Sequence, residues 1–308
     1  MVDLLRDRAA DRPAPAWRPA ARERAGSPRG RWAPGRARLR PLVGVGGLAV
    51  LVAAALLVPW LTGFDQARMD YAALRRPPSV DHPFGTDAMG RDLLVRSLLG
   101  LRVSLLVAAV CAVVSTVVGV LFGALSGVLG GWPDRVLMRV VDSVNAMPHL
   151  LLGIVIVALY RGSVLAVIAS IALTHWTSVA RIVRVEVLSL RDRPYIDAAI
   201  SGGASRAWVL RRHLAPAVIP QAALSSVLLL PHAVWHETAL SFLGLGLPPH
   251  LASIGNILGE ARREVLLGSW WVVVLPSLLL VATVLAVAAI AAWWRDRGVP
   301  RRRSELAL

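Results

Sequence analysis

The sequence predicts an all-α polytopic membrane protein with six transmembrane helices. The first observation is composition: 56% of the 308 residues are hydrophobic and 17% are charged, whereas a soluble domain carries about 25% charged residues. The second is that several windows of about 20 residues are almost free of charge, and an α-helix of that length crosses the hydrocarbon core of a bilayer. Both observations indicate that most of the chain lies in a membrane.

A basic segment precedes the first apolar stretch. Residues 1–40 contain eleven Arg, four acidic residues and five Pro, without apolar periodicity. That composition is typical of disorder, so we predict a disordered cytoplasmic tail that contacts the anionic surface of the lipid bilayer. Binding of this tail to nucleic acid is the weaker alternative, and no nucleic-acid partner is predicted.

Six apolar stretches follow, separated by polar connections. Residues 41–61 are the first predicted transmembrane helix, which is too long and too far from the start for a cleaved signal peptide. Residues 62–100 balance five Arg against five acids. They are predicted to form an external segment with an interfacial helix, capped near Gly85 and Asp87. The other spans form a five-helix core, 101–293, and precede a cytoplasmic tail, 294–308; they are predicted at about 101–130, 139–160, 163–182, 217–236 and 269–293.

The second predicted span carries glycines three or four residues apart. Small residues on one helix face let two backbones approach closely where lipid supplies no hydrophobic drive. We therefore predict close packing against another helix, with pore lining as the alternative. The glycines are Gly119, Gly123, Gly127, Gly130 and Gly131.

Six spans place both termini on one side of the membrane, and the arginines indicate which side. Twenty-five of the 34 Arg lie in the two tails and in the connections 131–139 and 181–213. Because short basic loops stay in the cytoplasm, both termini are predicted to be cytoplasmic. The connection 237–268 then faces outward, and its charged residues are predicted to be solvated: Glu260, Arg262, Arg263 and Glu264.

The chain contains no lysine, since all 34 basic residues are Arg. A Walker A loop needs its Lys on the β- and γ-phosphates, and Schiff-base catalysis needs a Lys amine. Both are excluded, so any ATP and Mg²⁺ that drive this protein are expected to be bound by partner subunits. No cofactor is expected in the chain itself, and the single cysteine, Cys111, is expected to be a small core residue.

The polar connection 183–216 interrupts the apolar pattern and contains the stretch IDAAISGGASRAWVLRRHLAP. A carboxylate followed by two alanines fits the first turn of a short helix, and a glycine supplies the positive φ that ends it. A second short helix is predicted over 206–214, with a proline just before the next span. We predict a helix-turn-helix that docks in a partner's groove, defined by Asp197, Ala198, Ala199, Gly203, Leu214 and Pro216.

Four motifs resemble one known family. The pattern Asp197-Ala198-Ala199, Gly203 and Leu214-Ala215-Pro216 resembles the EAA loop of ABC importer permeases, with Asp for the usual Glu and Ala215 for the usual Leu. Three further stretches resemble the dipeptide, oligopeptide and nickel permease family, in particular the second permease of the pair. They are HPFGTDAMGRDLLVRSLLGLRVSL (82–105), GWPDRVLMRVVDSVNAMP (131–148) and ETALSFLGLGLPPHLASIGNIL (237–258).

The resemblance covers roughly residues 40–295 and implies the type I ABC importer permease fold in the cytoplasmic membrane of a prokaryote. The implied partners are a second homologous permease subunit, two ABC ATPase subunits that bind ATP and Mg²⁺, and an extracytoplasmic substrate-binding protein. The chain would not itself be an enzyme, and its EAA-like loop would couple ATP use to transport. Short peptides are the implied cargo; nickel or a metal chelate is the alternative.

A histidine pattern lies near the outer end of the fifth span. His232, His236 and Glu237 read H-x-x-x-H-E, and His250 follows in the next connection. Residues four apart share a helix face, so these side chains are candidates for contact with a substrate or metal ion in transit. Hydrogen bonding of the histidines to loop backbone is the alternative. A metalloprotease is disfavoured because its H-E-x-x-H order is absent.

A secondary transporter driven by an ion gradient is the rival from another class. It would need intramembrane charges facing a central site together with internal repeats. The spans carry few charges and show no repeat. Dependence of uptake on ATP separates the two classes.

Overall fold

A computed structural model describes residues 34–298 of the chain. Most of the predicted basic tail, residues 1–33, lies outside the described residues, and so do residues 299–308 of the predicted C-terminal tail. Over the described range the chain is helical, with turns and a single isolated bridge between Thr86 and Asp92. The predicted all-α class is confirmed.

Ten α-helices lie within residues 34–298. They are α1 (Pro34–Leu61), α2 (Leu93–Leu129), α3 (Gly131–Asn145), α4 (His149–Leu159), α5 (Val164–Arg191), α6 (Pro194–Ser201), α7 (Arg206–Val209), α8 (Ala215–Phe242), α9 (Ile254–Val265) and α10 (Trp271–Gly298). Five are long and apolar enough to cross a membrane: α1, α2, α5, α8 and α10. The pair α3 and α4 has the length and hydropathy of a sixth crossing, so the described chain agrees with the predicted polytopic membrane fold.

The third predicted span, 139–160, is not one continuous helix. α3 ends at Asn145, α4 begins at His149, and the two are bent by 80°. Pro148 lies at the break, where it lacks a backbone N–H and disfavours the helical conformation for Met147 before it. The proline therefore divides the span.

Between α1 and α2 the structure shows turns in place of the predicted interfacial helix. Residues 62–92 contain one 3₁₀ turn, Tyr71–Ala73, and Gly85 turns the chain with φ +72°. α2 begins eight residues earlier than predicted, because the side chain of Asp92 accepts a hydrogen bond from the backbone N–H of Val95 at 2.9 Å. Such a cap satisfies one of the free N–H groups at a helix start.

Backbone-to-backbone contact joins α2 to α5. A Cβ atom on Gly123 would lie 2.4 Å from the carbonyl oxygen of Ala180, and one on Gly119 or Gly127 would approach α5 to 2.5 or 2.6 Å. The predicted close packing is confirmed for these three glycines. The remaining two turn the chain from α2 into α3 with positive φ: Gly130 and Gly131.

α8 connects two opposite ends of the helix bundle. It starts next to α6 and α7 and ends before α9, so we call these ends the α6 side and the α9 side. Pro220 and Pro231 both lie inside α8. The connection 237–268, predicted as a loop, contains the last turn of α8 and the whole of α9, which packs against α8 and α10.

The connection 183–216 is more helical than predicted. α5 continues to Arg191, and α7 passes through a π-helical turn, Leu210–Leu214, directly into α8. Pro216 therefore lies in a continuous helix and not before it. The N–H of Ala215 donates to the carbonyl oxygen of Leu210, five residues back, and this wider turn makes room for the proline ring.

Candidate functional site

A helical hairpin, residues 194–214, projects on the α6 side, and we call it the knob. α6 begins with Pro194, whose fixed φ suits a first helical turn, and carries Asp197 in that turn. Gly203 then reverses the chain with φ +91°. Among the described residues, no atom beyond the chain neighbours of Gly203 lies within 4 Å of its Cβ position. The backbone conformation, and not crowding, therefore requires glycine there.

The knob has an exposed tip and a buried base. Asp197 and Ala198 are exposed at the tip, Ala199 is half-buried, and the chain turns beside them at Gly203. Leu214 is buried in a cluster with Ile196 and other apolar side chains from α5, α7 and α8. Of the six residues predicted for this loop, four therefore meet at the tip, Leu214 anchors the base, and Pro216 belongs to α8.

Three aromatic rings lie on the knob beyond the predicted motif. The ring of His213 lies 5.6 Å from that of Tyr195 and 5.2 Å from that of Trp208, centroid to centroid. Tyr195, Trp208 and Ile200 are each about half exposed. Exposed apolar patches occur at contacts with proteins, membranes or ligands. The sequence analysis did not predict this patch, although the aromatic residues in the connection 183–216 indicated it.

A partly buried ion pair joins α5, the helix that precedes the knob, to α3. Arg184 of α5 donates two hydrogen bonds to Asp134 of α3, at 2.6 and 2.7 Å, and Ser126 of α2 donates to the same carboxylate. Two parallel bonds between guanidinium and carboxylate fix orientation as well as distance. Arg191, at the end of α5, donates to the carbonyl oxygen of Gly127 at 3.1 Å. These contacts join the part of α5 that leads into the knob to α2 and α3.

Four histidine rings from α4, α5 and α8 meet in what we call the histidine cluster. The ring centroid of His175 lies 4.7 Å from that of His236, 5.5 Å from that of His149 and 6.5 Å from that of His232. Two of these residues, His232 and His236, lie one turn apart on α8 and were predicted as a candidate pair. His149 and His175 were missed, because only the packing of α4 and α5 brings them to α8.

Glu237 and His250, the other two predicted residues of this set, lie elsewhere. The Glu237 carboxylate is fully buried and accepts a hydrogen bond from Ser241 Oγ at 2.8 Å, with Ser104 and Ser253 beside it. It faces α2 and the start of α9. His250 is exposed and has no ring contact with the cluster within residues 34–298. In that same range no three His, Cys, Asp or Glu side chains are placed to hold one metal ion.

On the α9 side, two buried arginines join the segment before α2 to α9. Arg96, 1% exposed, donates to Asp87 at 2.9 Å and to Glu260 at 2.8 Å. Arg91 donates to the same two carboxylates, at 2.8 and 3.2 Å. The prediction that Glu260 belongs to a solvated face is therefore wrong in part, because α9 turns this residue towards α2.

Glu264, also predicted to be solvated, is buried. Burial raises the pKa of its carboxyl, and the nearby carboxylates of Asp87 and Glu260 raise it further, while a hydrogen bond with the backbone of Ala88 and the charge of Arg75 act in the opposite direction. A cleft of about 760 Å³ opens beside it. Its charged lining is rich in arginine: Arg75, Arg91, Arg262 and Arg263 together with Glu260 and Glu264.

Comparison with known proteins gives consistent matches. Residues 119–304 match the family described as "Binding-protein-dependent transport system inner membrane component". The chain is 39% identical to the oligopeptide transport system permease protein OppC of Escherichia coli K12 over 84% of this chain and 87% of that protein. It is 31% identical to the dipeptide transport system permease protein DppC of Bacillus subtilis, over 83% and 80% of the two chains. A putative peptide transport system permease protein of Brucella abortus is 35% identical, over 85% and 88%.

Proposed function

The chain belongs to the family of binding-protein-dependent transport system inner membrane components, and from this premise we propose that it is a permease subunit of an ATP-driven importer of short peptides. The observation that carries the proposal is the knob on the α6 side. Its exposed Asp197, its glycine turn and its half-exposed aromatic rings form a compact docking surface. Such a surface is suited to the groove of an ATPase subunit.

Partner subunits supply the energy for transport. The chain has no lysine for a Walker A loop, so ATP and Mg²⁺ are bound by two ABC ATPase subunits. Closure of the ATPase dimer moves the knob as a rigid body. The Asp134–Arg184 pair passes that movement to α2 and α3, while the continuous helix from α7 passes it to α8.

The two sides of the bundle have different partners. The α6 side and both termini lie in the cytoplasm of a prokaryotic cell, as the distribution of arginines favours. The α9 side faces outward and offers its arginine-rich cleft of about 760 Å³ to an extracytoplasmic substrate-binding protein. A second homologous permease subunit completes the path between the two chains.

The cargo follows from the names of the relatives, which are oligopeptide, dipeptide and peptide permeases. Nickel or a metal chelate is the alternative cargo, and the described residues add no observation that favours it, since no three of their side chains are placed to hold a metal ion. Transport driven by an ion gradient is the alternative mechanism.

Uptake in a strain that lacks this chain tests the proposal. Labelled dipeptide and labelled nickel are offered side by side, with and without depletion of cellular ATP. We expect peptide uptake to be lost in the deletion strain, to return when the chain is restored, and to stop when ATP is depleted. Loss of nickel uptake alone would show that nickel, and not peptide, is the cargo. Peptide uptake that survives ATP depletion but follows an ion gradient would show that the transport is not driven by ATP.

A further inference from the structure

The histidine cluster lies well inside the membrane-spanning part of the chain. His175 is eleven residues from the start of α5, or about 17 Å at 1.5 Å per residue. His236 lies six residues before the end of α8, or about 9 Å. The hydrocarbon core of a bilayer is about 30 Å thick, and both positions lie inside helices long enough to span it.

One side of this cluster faces away from the packed interior of the chain. His175 is buried, but His149 and His236 are only half-buried, and His232 is exposed. A polar ring turned towards hydrocarbon is unfavourable, and such residues in membrane proteins line water-filled paths or contact other polar groups. The exposed side of the cluster therefore belongs to a passage or an interface, and not to the lipid surface.

The cluster offers hydrogen-bond donors and lacks a built-in anion. The rings of His149 and His236 form no hydrogen bond with any other group in the described part of the chain. The Glu237 carboxylate is not in ring contact with the cluster and accepts a hydrogen bond from Ser241. The closest ion pair along α5, Arg181 with Asp142 at 2.8 Å, begins six residues after His175, about 9 Å towards the α6 side.

A helix start adds further hydrogen-bond donors and a positive potential. α4 is eleven residues long and begins at His149, and its preceding residue, Pro148, provides no side-chain cap. Free N–H groups at a helix start, together with the helix dipole, favour a negatively charged group. Because α3 and α4 are separated at this break, the start of α4 lies beside His175 and not at the edge of the membrane.

We propose that the histidine cluster binds the terminal carboxylate of a peptide as it passes between this chain and its partner permease. This inference rests on the proposed function as a peptide importer. The free imidazoles of His149 and His236 can each donate an N–H bond to a carboxylate oxygen, and the start of α4 supplies further donors. His175 and His232 instead donate Nδ1–H to the backbone carbonyl oxygens of Ile171 and Leu228, at 2.9 and 3.3 Å. A resident metal ion fits less well, because no three candidate ligands in the described residues are arranged around one point.

The test compares two peptides in proteoliposomes that contain the whole importer: this chain, the second permease, both ATPase subunits and the binding protein. One labelled dipeptide has a free terminal carboxylate, and the other is its C-terminal amide. The ratio of their uptake is measured for the unchanged chain and for variants at His149 on α4 and at His236 on α8. Because the binding protein is the same in every sample, its own preference cancels in this comparison.

The variants form matched pairs. His149→Leu and His236→Leu remove the donor, whereas His149→Gln and His236→Gln keep an N–H donor at the same position. We expect each Leu variant to lower the ratio of acid to amide uptake about tenfold, as the loss of one hydrogen bond to a charged group implies. Uptake of the amide should stay the same, and the Gln variants should keep most of the ratio.

Three results would overturn the inference. Equal loss of both peptides in the Leu variants would mean that the cluster only maintains structure. An unchanged ratio would mean that the carboxylate does not contact it. Inhibition of peptide uptake by micromolar Ni²⁺ that disappears in the Leu variants, with the ratio unchanged, would assign the cluster to metal. If the unchanged importer takes up neither peptide, the proposed function itself fails.

Discussion

Arg96 is a buried arginine whose two carboxylate partners come from separate segments of the chain. It holds Asp87 and Glu260 together within 3 Å of its guanidinium nitrogens, and thus fastens α9 to the start of α2. Removing one partner of a buried ion pair costs about 3–5 kcal/mol, because the remaining charge is left without compensation.

We therefore expect Arg96→Met to lower the thermal unfolding midpoint of the purified protein in detergent by several degrees. Arg102→Met is the matched control, since Arg102 lies on the same helix and is exposed; it should leave the midpoint unchanged. An equal effect of both substitutions would show that the network contributes little.

Glu264 gives the stability of the α9 side a defined dependence on pH. Its pKa is raised in the folded protein, mainly by burial, so the folded state holds the proton more tightly than the unfolded chain does. The stability contributed by this proton is fully present below the ordinary Glu pKa of about 4.3. It is lost as the pH rises through the raised pKa.

Glu264→Gln should therefore be more stable than the unchanged protein at about pH 8, with a difference that disappears near about pH 4. Thermal unfolding of both proteins across this range measures the difference. The exposed Asp81 serves as a control through Asp81→Asn, which should show no such trend. A difference that grows towards acid pH would contradict the assignment.

Among the elements, those without charge were the most predictable from sequence. α10 is predicted at 269–293 and runs from Trp271 to Gly298. This prediction succeeds because an apolar stretch of that length without charge becomes helical by insertion into a membrane and depends on no particular neighbour. The break before α4 and the early start of α2 were missed. They depend on single side chains, Pro148 and Asp92, that act on the backbone next to them.

The candidate sites also differ in how well they could be predicted from the sequence. The tip of the knob follows from local sequence, since Asp197 and Gly203 act within one short hairpin. Half of the histidine cluster was visible as a spacing of four residues on α8. The other half, His149 and His175, and the pair of Asp134 with Arg184 result from packing between helices, which spacing along one chain does not encode.

The turn of the knob provides a test at the scale of one element. Gly203 has φ +91°, and proline is restricted to a φ of about −65°. We expect Gly203→Pro to disrupt the knob, so that the ATPase subunits assemble poorly or hydrolyse ATP without uptake. Gly202→Ala is the control, because Gly202 has φ −76°, which any residue adopts.

Both variants are compared by the yield of assembled complex and by the ratio of peptide taken up to ATP hydrolysed. A Gly203→Pro variant that assembles and transports normally would show that the knob does not couple ATP hydrolysis to transport. Loss of coupling in the Gly202→Ala variant as well would point to the whole turn and not to the reversed backbone.

For the whole molecule, the single cysteine makes the orientation in the membrane measurable. Cys111 is buried, so background labelling by a membrane-impermeant maleimide should be low. A cysteine introduced by Leu266→Cys on the α9 side should react in intact cells. One introduced by Ile200→Cys on the knob should react only after the membrane is opened; both positions are exposed. The reverse pattern would invert the proposed orientation.

The two prolines within α8 decide in which direction that helix bends. Pro220 and Pro231 are eleven residues apart, which is about 20° more than three full turns at 3.6 residues per turn. Each proline opens the helix on the side where its ring meets the carbonyl four residues earlier. Because the two prolines lie on nearly the same side of α8, bending at either one is expected to occur in the same plane. We therefore expect a push at the α6 end of α8 to displace the segment that carries His232 and His236 along a single direction.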